Sequence, residues 1–168
     1  MRTELAYPLS LIDEGKLGII EFTRYSLSVN EQKKEKKERI LIETLAFILY
    51  SHKAQLSSLK ASSDSLGNVL LVTLQFDNQS LANLLLNFTH RQETPSFLKK
   101  FELAGSKAMY QYDSIQKNSF YSNFILDDPY QVELTLSAEE QDGITDILKK
   151  IYWSINEKKE VHFKGALL

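Results

Sequence analysis

Apolar positions along this chain change their spacing several times, and each change marks the boundary of an element. From Glu4 to Glu14, Leu5, Leu9 and Ile12 recur at helical spacing, and Gly15 stands where a left-handed residue would end the helix. Leu17 to Leu27 carries Ile19, Ile20, Phe22, Tyr25 and Leu27 with no breaker after Gly18, and reads as a strand. Ser28 to Arg39 is mostly charge, with Lys33-Lys34-Glu35-Lys36-Lys37-Glu38-Arg39 in one block. Acidic and basic residues are interspersed there, which predicts a solvated loop feeding the next helix rather than a binding patch.

Ile40 to Tyr50 is apolar almost all round, as in a helix packed on more than one side. Glu43 is its lone charge and shares a stripe with Ile40 and Phe47. A carboxylate in that setting costs free energy unless it is solvated or paired. It therefore either faces a polar cleft, as a functional group, or emerges at the helix edge with Arg39 or Arg24 as a salt-bridge partner.

The pattern then turns to strands. Lys53 to Ser62 is a strand, and Ser63-Asp64-Ser65-Leu66-Gly67-Asn68 is turn chemistry. Val69 to Phe76 and Leu81 to His90 flank the tight turn Asp77-Asn78-Gln79-Ser80 and are apolar on both faces. A sheet with such strands is covered on each side, by helices on one face and by a second subunit on the other. Phe97 to Ala104 and Lys107 to Asp113 form a hairpin turning at Gly105-Ser106, and Ser119 to Leu126 adds an edge strand broken by Asp127-Asp128-Pro129. Ser137 and Glu140 make a capping box before the stripe Ile144, Ile147, Leu148, Ile151 and Ile155, and residues 158–168 are a partly ordered tail. The fold class is α+β: an open, mainly antiparallel sheet with helices packed on one face, in a single domain over residues 1–168.

Composition narrows the chemistry. The chain is 43% hydrophobic, large enough to bury a core, and has no Cys, which excludes thiolate metal sites and a cysteine nucleophile. A net charge of −2 gives no general attraction to nucleic acid or anionic membrane, and no apolar run or signal-like N-terminus is present, so a cytoplasmic protein is expected. The six glycines, at 15, 18, 67, 105, 143 and 165, match neither a dinucleotide fingerprint nor a P-loop. His52, His90 and His162 stand far apart, which predicts no metal site, and no local nucleophile motif is present. Asp127 and Asp128 precede a proline and read as a turn rather than an acid–base pair. His90 and Arg91 end a long strand, where polar groups can border a pocket.

Four stretches together resemble the C-terminal domain of the Gfo/Idh/MocA oxidoreductases. Leu11-Ile12-Asp13-Glu14-Gly15-Lys16-Leu17-Gly18 is similar to the helix end that leads into the family's first C-terminal strand. Ile40-Leu41-Ile42-Glu43-Thr44-Leu45-Ala46-Phe47-Ile48-Leu49 is similar to its HxxDxxxWLL helix. Leu71 to Ala82 is similar to the "v.l.F.nG..a" hairpin, and Phe101 to Tyr110 to "leiyGtkG.l". Order and spacing agree from about residue 5 to residue 157.

The resemblance implies a domain that supplies one wall of a substrate cleft and makes subunit contacts through its open sheet face. A separate N-terminal Rossmann domain would bind NAD or NADP, so no cofactor is expected in this chain. Sugar, cyclitol or polyol substrates follow by the same resemblance. The family's HxxD pair falls on Ile40 and Glu43, so the proton-relaying histidine is replaced by an aliphatic residue. The charge block Lys33 to Arg39 replaces a loop of small residues, and the EKP lysine has no counterpart. The implied role is cleft wall and oligomer contact, with Glu43 as the candidate catalytic position and His90 and Arg91 as cleft companions. The alternative is a non-catalytic binding or assembly module that retains only the fold.

Overall fold

The computed structural model describes residues 3–89, 97–115 and 136–163. In chain order they form α1 (Thr3–Asp13), β1 (Ile20–Val29), α2 (Lys34–His52), β2 (Leu56–Ser63), β3 (Val69–Phe76), β4 (Leu81–Asn87), β5 (Phe97–Gly105), β6 (Met109–Asp113), α3 (Ala138–Glu157) and β7 (Val161–His162). The strands make one sheet in the order β6-β5-β1-β4-β3-β2-β7. Among the described strands only β1 and β4 are parallel neighbours; every other adjacent pair is antiparallel. The α+β class and the mainly antiparallel open sheet are as the sequence predicts.

Alternation along the strands separates two faces. Tyr25 and Leu27 of β1, Leu84 and Leu86 of β4, Val72 and Leu74 of β3 and Phe101 and Leu103 of β5 are buried on the helix side. α3 rests on β2, where Ser154 Oγ accepts the Ala61 amide at 3.0 Å and so satisfies a strand donor beyond the end of β7. Its N-terminus carries the expected capping box between Ser137 and Glu140. Among the described residues no helix covers the opposite face. Pairing sets Met109, Ala104, Phe22 and Leu81 in one row across it and Gln111, Glu102, Arg24, Asn83 and Thr73 in the next. Leu71 and Leu85 pair in a third row and remain 46% and 43% exposed.

Local expectations change at two segments around α2. The charge block is helix, because α2 begins at Lys34. Lys, Glu and Arg are good helix formers, Lys34 and Glu38 pair at i,i+4, and Glu31 Oε1 accepts the Lys33 amide at 2.8 Å just ahead of the first turn. The block's side chains are nonetheless mostly exposed, as expected. The strand after α2 begins at Leu56 rather than Lys53, because Lys53 is the left-handed cap of the helix at φ 49°. The tail is partly structured, with Val161–His162 paired to Leu59 and Ser58 of β2. The expected edge strand at Ser119 to Leu126 and the Asp127-Asp128-Pro129 turn lie outside the described residues.

Two turns explain residue choices. A Cβ on Gly105 would stand 2.2 Å from the Leu17 carbonyl oxygen, so the β5–β6 turn can close on the entry to β1 only with glycine. In the β3–β4 turn Gln79 takes φ 69°, a left-handed conformation that costs about 1 kcal/mol for a residue with a side chain.

Candidate functional site

Glu43 lies on the inner side of α2, 5% exposed. The contacts of α2 run opposite to β1: Phe47 meets Tyr25, with ring centroids 6.3 Å apart, and His52 reaches Thr23. Glu43 is therefore displaced from Phe47 toward the C-terminal end of β1, by about 6 Å for one helical turn. Arg24, one partner considered for it, is on the open face 3.9 Å from Glu102 and cannot reach it through the sheet.

A second buried charge occupies the same level. Lys99 on β5 is 3% exposed and pairs with Leu27, two residues before Phe101 and on the same face of the strand. Two strand residues displace it by about 7 Å from Phe101, in the same direction as Glu43 from Phe47. The rings of Phe47 and Phe101 themselves meet edge to face at 5.1 Å. An aromatic layer of Phe47, Phe101, Tyr25 and Tyr112 thus carries a carboxylate and an ammonium at one end. Such buried charges are costly to place. Sequence reasoning passed over Lys99, although its period-two phase with Phe101 and Leu103 marks it as inward. His90 and Arg91 lie outside the described residues, so only Glu43 of the three expected site residues is placed.

His52, at the other end of α2, was not singled out either, yet it follows Leu45 and Ile48 on the buried stripe. Its ring stacks on Phe76 with centroids 4.2 Å apart, and both nitrogens are engaged. Ser80 Oγ gives its proton to Asn78 Oδ1 at 2.6 Å, so it accepts from His52 Nδ1 at 2.7 Å. That leaves Nε2 to accept the Thr23 hydroxyl at 2.9 Å. The result is a directed chain from Thr23 through His52 and Ser80 to Asn78. Burial pushes the imidazole down to about 4, so it is neutral at ordinary pH.

The β1–α2 junction lacks the turn that binds a dinucleotide's pyrophosphate. Pyrophosphate binding needs a glycine-rich strand-to-helix turn with free amides at the helix N-terminus. The junction between β1 and α2 reads Asn30-Glu31-Gln32-Lys33, has no glycine, and already presents the Glu31 carboxylate to the Lys33 amide. Among the described residues no group of three or more His, Cys, Asp or Glu is placed to hold a metal ion, and no helix is long and apolar enough to cross a membrane.

An open mixed sheet with one parallel pair and helices on a single face makes the described chain an α+β domain. No protein-family model and no curated protein matches the sequence. Solved structures do. Scyllo-inositol dehydrogenase from Lactobacillus casei, with bound NAD(H) and scyllo-inositol, is 14% identical with a TM-score of 0.67, covering 95% of this chain and 61% of that one. Myo-inositol 2-dehydrogenase from Lactobacillus plantarum is 12% identical with a TM-score of 0.70, covering 96% and 62%. A myo-inositol dehydrogenase from Corynebacterium glutamicum is 13% identical with a TM-score of 0.66, covering 98% and 62%. At these identities the likeness is one of fold, and the chain spans about three fifths of the length of these enzymes.

Proposed function

We propose that this chain is the C-terminal substrate-cleft and assembly domain of an NAD(P)-dependent oxidoreductase of the Gfo/Idh/MocA type, acting on polyols or related sugar-like molecules. The observation that carries the reading is one of coverage. Almost the whole chain takes the fold of about three fifths of the inositol dehydrogenases, while its strand-to-helix junction has no place for cofactor phosphates. Cofactor chemistry, a hydride exchanged with nicotinamide, belongs to another domain in this reading.

This chain's own contribution is positional. The Glu43 carboxylate and the Lys99 ammonium end the aromatic layer beneath α2, where a carboxylate accepts and an ammonium donates hydrogen bonds to substrate hydroxyls. Ile40, one turn before Glu43, is buried and can carry no proton, so general acid–base work falls to groups elsewhere. That same substitution favours the second reading, a binding module that kept the sheet and lost turnover. In the protein that carries the cofactor domain, Glu43→Gln is expected to lower kcat at least tenfold, about 1.4 kcal/mol, with an unchanged melting temperature. Unchanged turnover would leave Glu43 a structural residue, and a parent protein without turnover would favour the binding module.

The partner proposed for the open sheet face is a second copy of the chain. Phe22, Leu71, Leu81, Leu85 and Met109 lie on that face, with the polar row of Arg24, Glu102 and Asn83 between them. Apolar rows flanking a polar one suit a self-complementary contact. Light scattering at micromolar concentration is expected to give a dimer or larger, and Leu85→Lys a monomer with native circular dichroism. A monomeric parent chain would overturn the interface.

A further inference from the structure

The end of α2 remote from Glu43 closes over a cavity of about 540 Å³, bounded also by the N-terminus of α3 and the β3–β4 turn. Its floor is apolar, with Leu49, Leu56, Ile144 and Ile147 among the lining side chains. Its polar groups are unevenly charged. Asp77 and Glu140 both line it, and its one ammonium, Lys53, lies 2.6 Å from Asp13. With Lys53 neutralised in this way, two carboxylates remain against no free cation among the described lining residues.

The helices reinforce this bias. The 19-residue α2 ends at the cavity, where its last carbonyls make the negative end of the helix dipole. The positive end of α3 is already answered by Glu139 and Glu140 in its first turn and by Ser137. Tyr50 donates its hydroxyl to Glu140 Oε1 at 2.5 Å, which holds the carboxylate at the rim; burial first, and this bond second, push the phenol up to about 12 and keep it protonated. The chain from Thr23 through neutral His52 and Ser80 fixes Asn78 on the same rim. Rim groups that are already held lose little freedom when a ligand arrives.

We propose that this cavity binds a small organic monocation, an ammonium or guanidinium on an apolar body, with the charge at Asp77 and Glu140 and the body on the aliphatic floor. The volume falls within the range of small-molecule sites. An anion would meet two carboxylates and a helix C-terminus, and a neutral ligand would gain from the floor alone. This site is separate from Glu43 and does not depend on the oxidoreductase reading.

The test is titration of the intact chain at low salt with phenethylamine, 2-phenylethanol and phenylacetate, followed by amide resonances in a nitrogen–proton correlation spectrum. Phenethylamine is expected to shift residues at the end of α2, the β3–β4 turn and the start of α3 saturably. Its affinity should exceed that of 2-phenylethanol by about tenfold, and phenylacetate should produce no saturable shift. Asp77→Asn keeps the oxygen that accepts the Gln55 amide and is expected to weaken phenethylamine at least threefold without changing the melting temperature. Glu43→Gln should leave this binding unchanged, which keeps the outcome independent of the cleft. Equal affinities for the three compounds, no saturable shift with phenethylamine, or an Asp77→Asn chain that binds it as the parent does would each overturn the proposal.

Discussion

Lowering the pH from 7 to 5 is expected to remove roughly 2 kcal/mol of stability through one side chain, His52, and about 3 kcal/mol by pH 4. The imidazole is pushed down to about 4 by burial, against an ordinary value of 6.5. Between those values the unfolded chain binds a proton that the folded chain refuses, so the contribution is fully present above about pH 6.5 and declines as pH falls toward 4. The physical cause is plain in the contacts. A protonated ring would place a charge 3% exposed to solvent, stacked on Phe76, with only the Thr23 and Ser80 hydroxyls beside it. Carboxylates held below their ordinary range contribute in a different window. Asp64 is held by the Val69 and Asn68 amides and Glu140 by the Tyr50 hydroxyl, and each loses its contribution only as pH falls below about 5. Among the described groups with a displaced titration, His52 is the one that changes protonation between pH 7 and 5, so urea unfolding over that interval reports on it. In His52→Gln the stability lost over that interval should fall by about 2 kcal/mol, at the expense of lower stability at pH 7. An equal slope in parent and variant would show that His52 is not the titrating group.

Phe101→Ala is expected to cost 3–5 kcal/mol, enough to threaten folding of a domain of this size. Phe101 is 1% exposed and central to the aromatic layer. It stacks on Tyr25 at 6.0 Å and on Tyr112 at 5.1 Å, and meets Phe47 at 5.1 Å and Tyr110 at 5.9 Å. Its removal takes the shared contact from β1, β6 and α2 at once, and close packing around it prevents collapse into the space. Phe101→Leu keeps most of the volume and loses mainly ring stacking, about 0.5–1.5 kcal/mol for each well-formed pair. Equilibrium unfolding of the two variants checks the ordering. A loss below about 1 kcal/mol for alanine would mean that the layer is not held through Phe101.

Much of this architecture was legible in local pattern. Val69 to Phe76, rich in apolar residues on both faces and bounded by turn residues, is a strand with those bounds, and Ser137 with Glu140 announces α3. The errors cluster where residues have no strong periodicity. Lys34 to Arg39 has no apolar stripe, so its helix is visible only through propensity and through the anchors that its neighbours provide, Asn68 for Lys37 and Lys33 for Glu31. Lys53 looks like strand but caps a helix, because the left-handed turn there is set by the Leu49 carbonyl it must satisfy. For the candidate site, Glu43 stands out as one charge in an apolar helix, whereas Lys99 hides beside Lys100. Only the alternation with Phe101 and Leu103 separates the inward lysine from the outward one.

The sequence by itself determined most of the elements, the inward or outward phase along the strands, and the lack of a glycine-rich turn between β1 and α2, because all of these depend on neighbours within a few positions. It also carried the apolar surplus on both faces of β3 and β4. Which strands adjoin was decided only in the tertiary structure, since the pairing of β1 with β4 joins residues nearly sixty positions apart and is stabilised by contacts that no local window contains. That choice brings His52 between Thr23 and Ser80, sets Lys99 level with Glu43, and leaves Leu71 and Leu85 side by side on an open face. Phase is a local property of backbone geometry, whereas proximity is settled by packing the whole core.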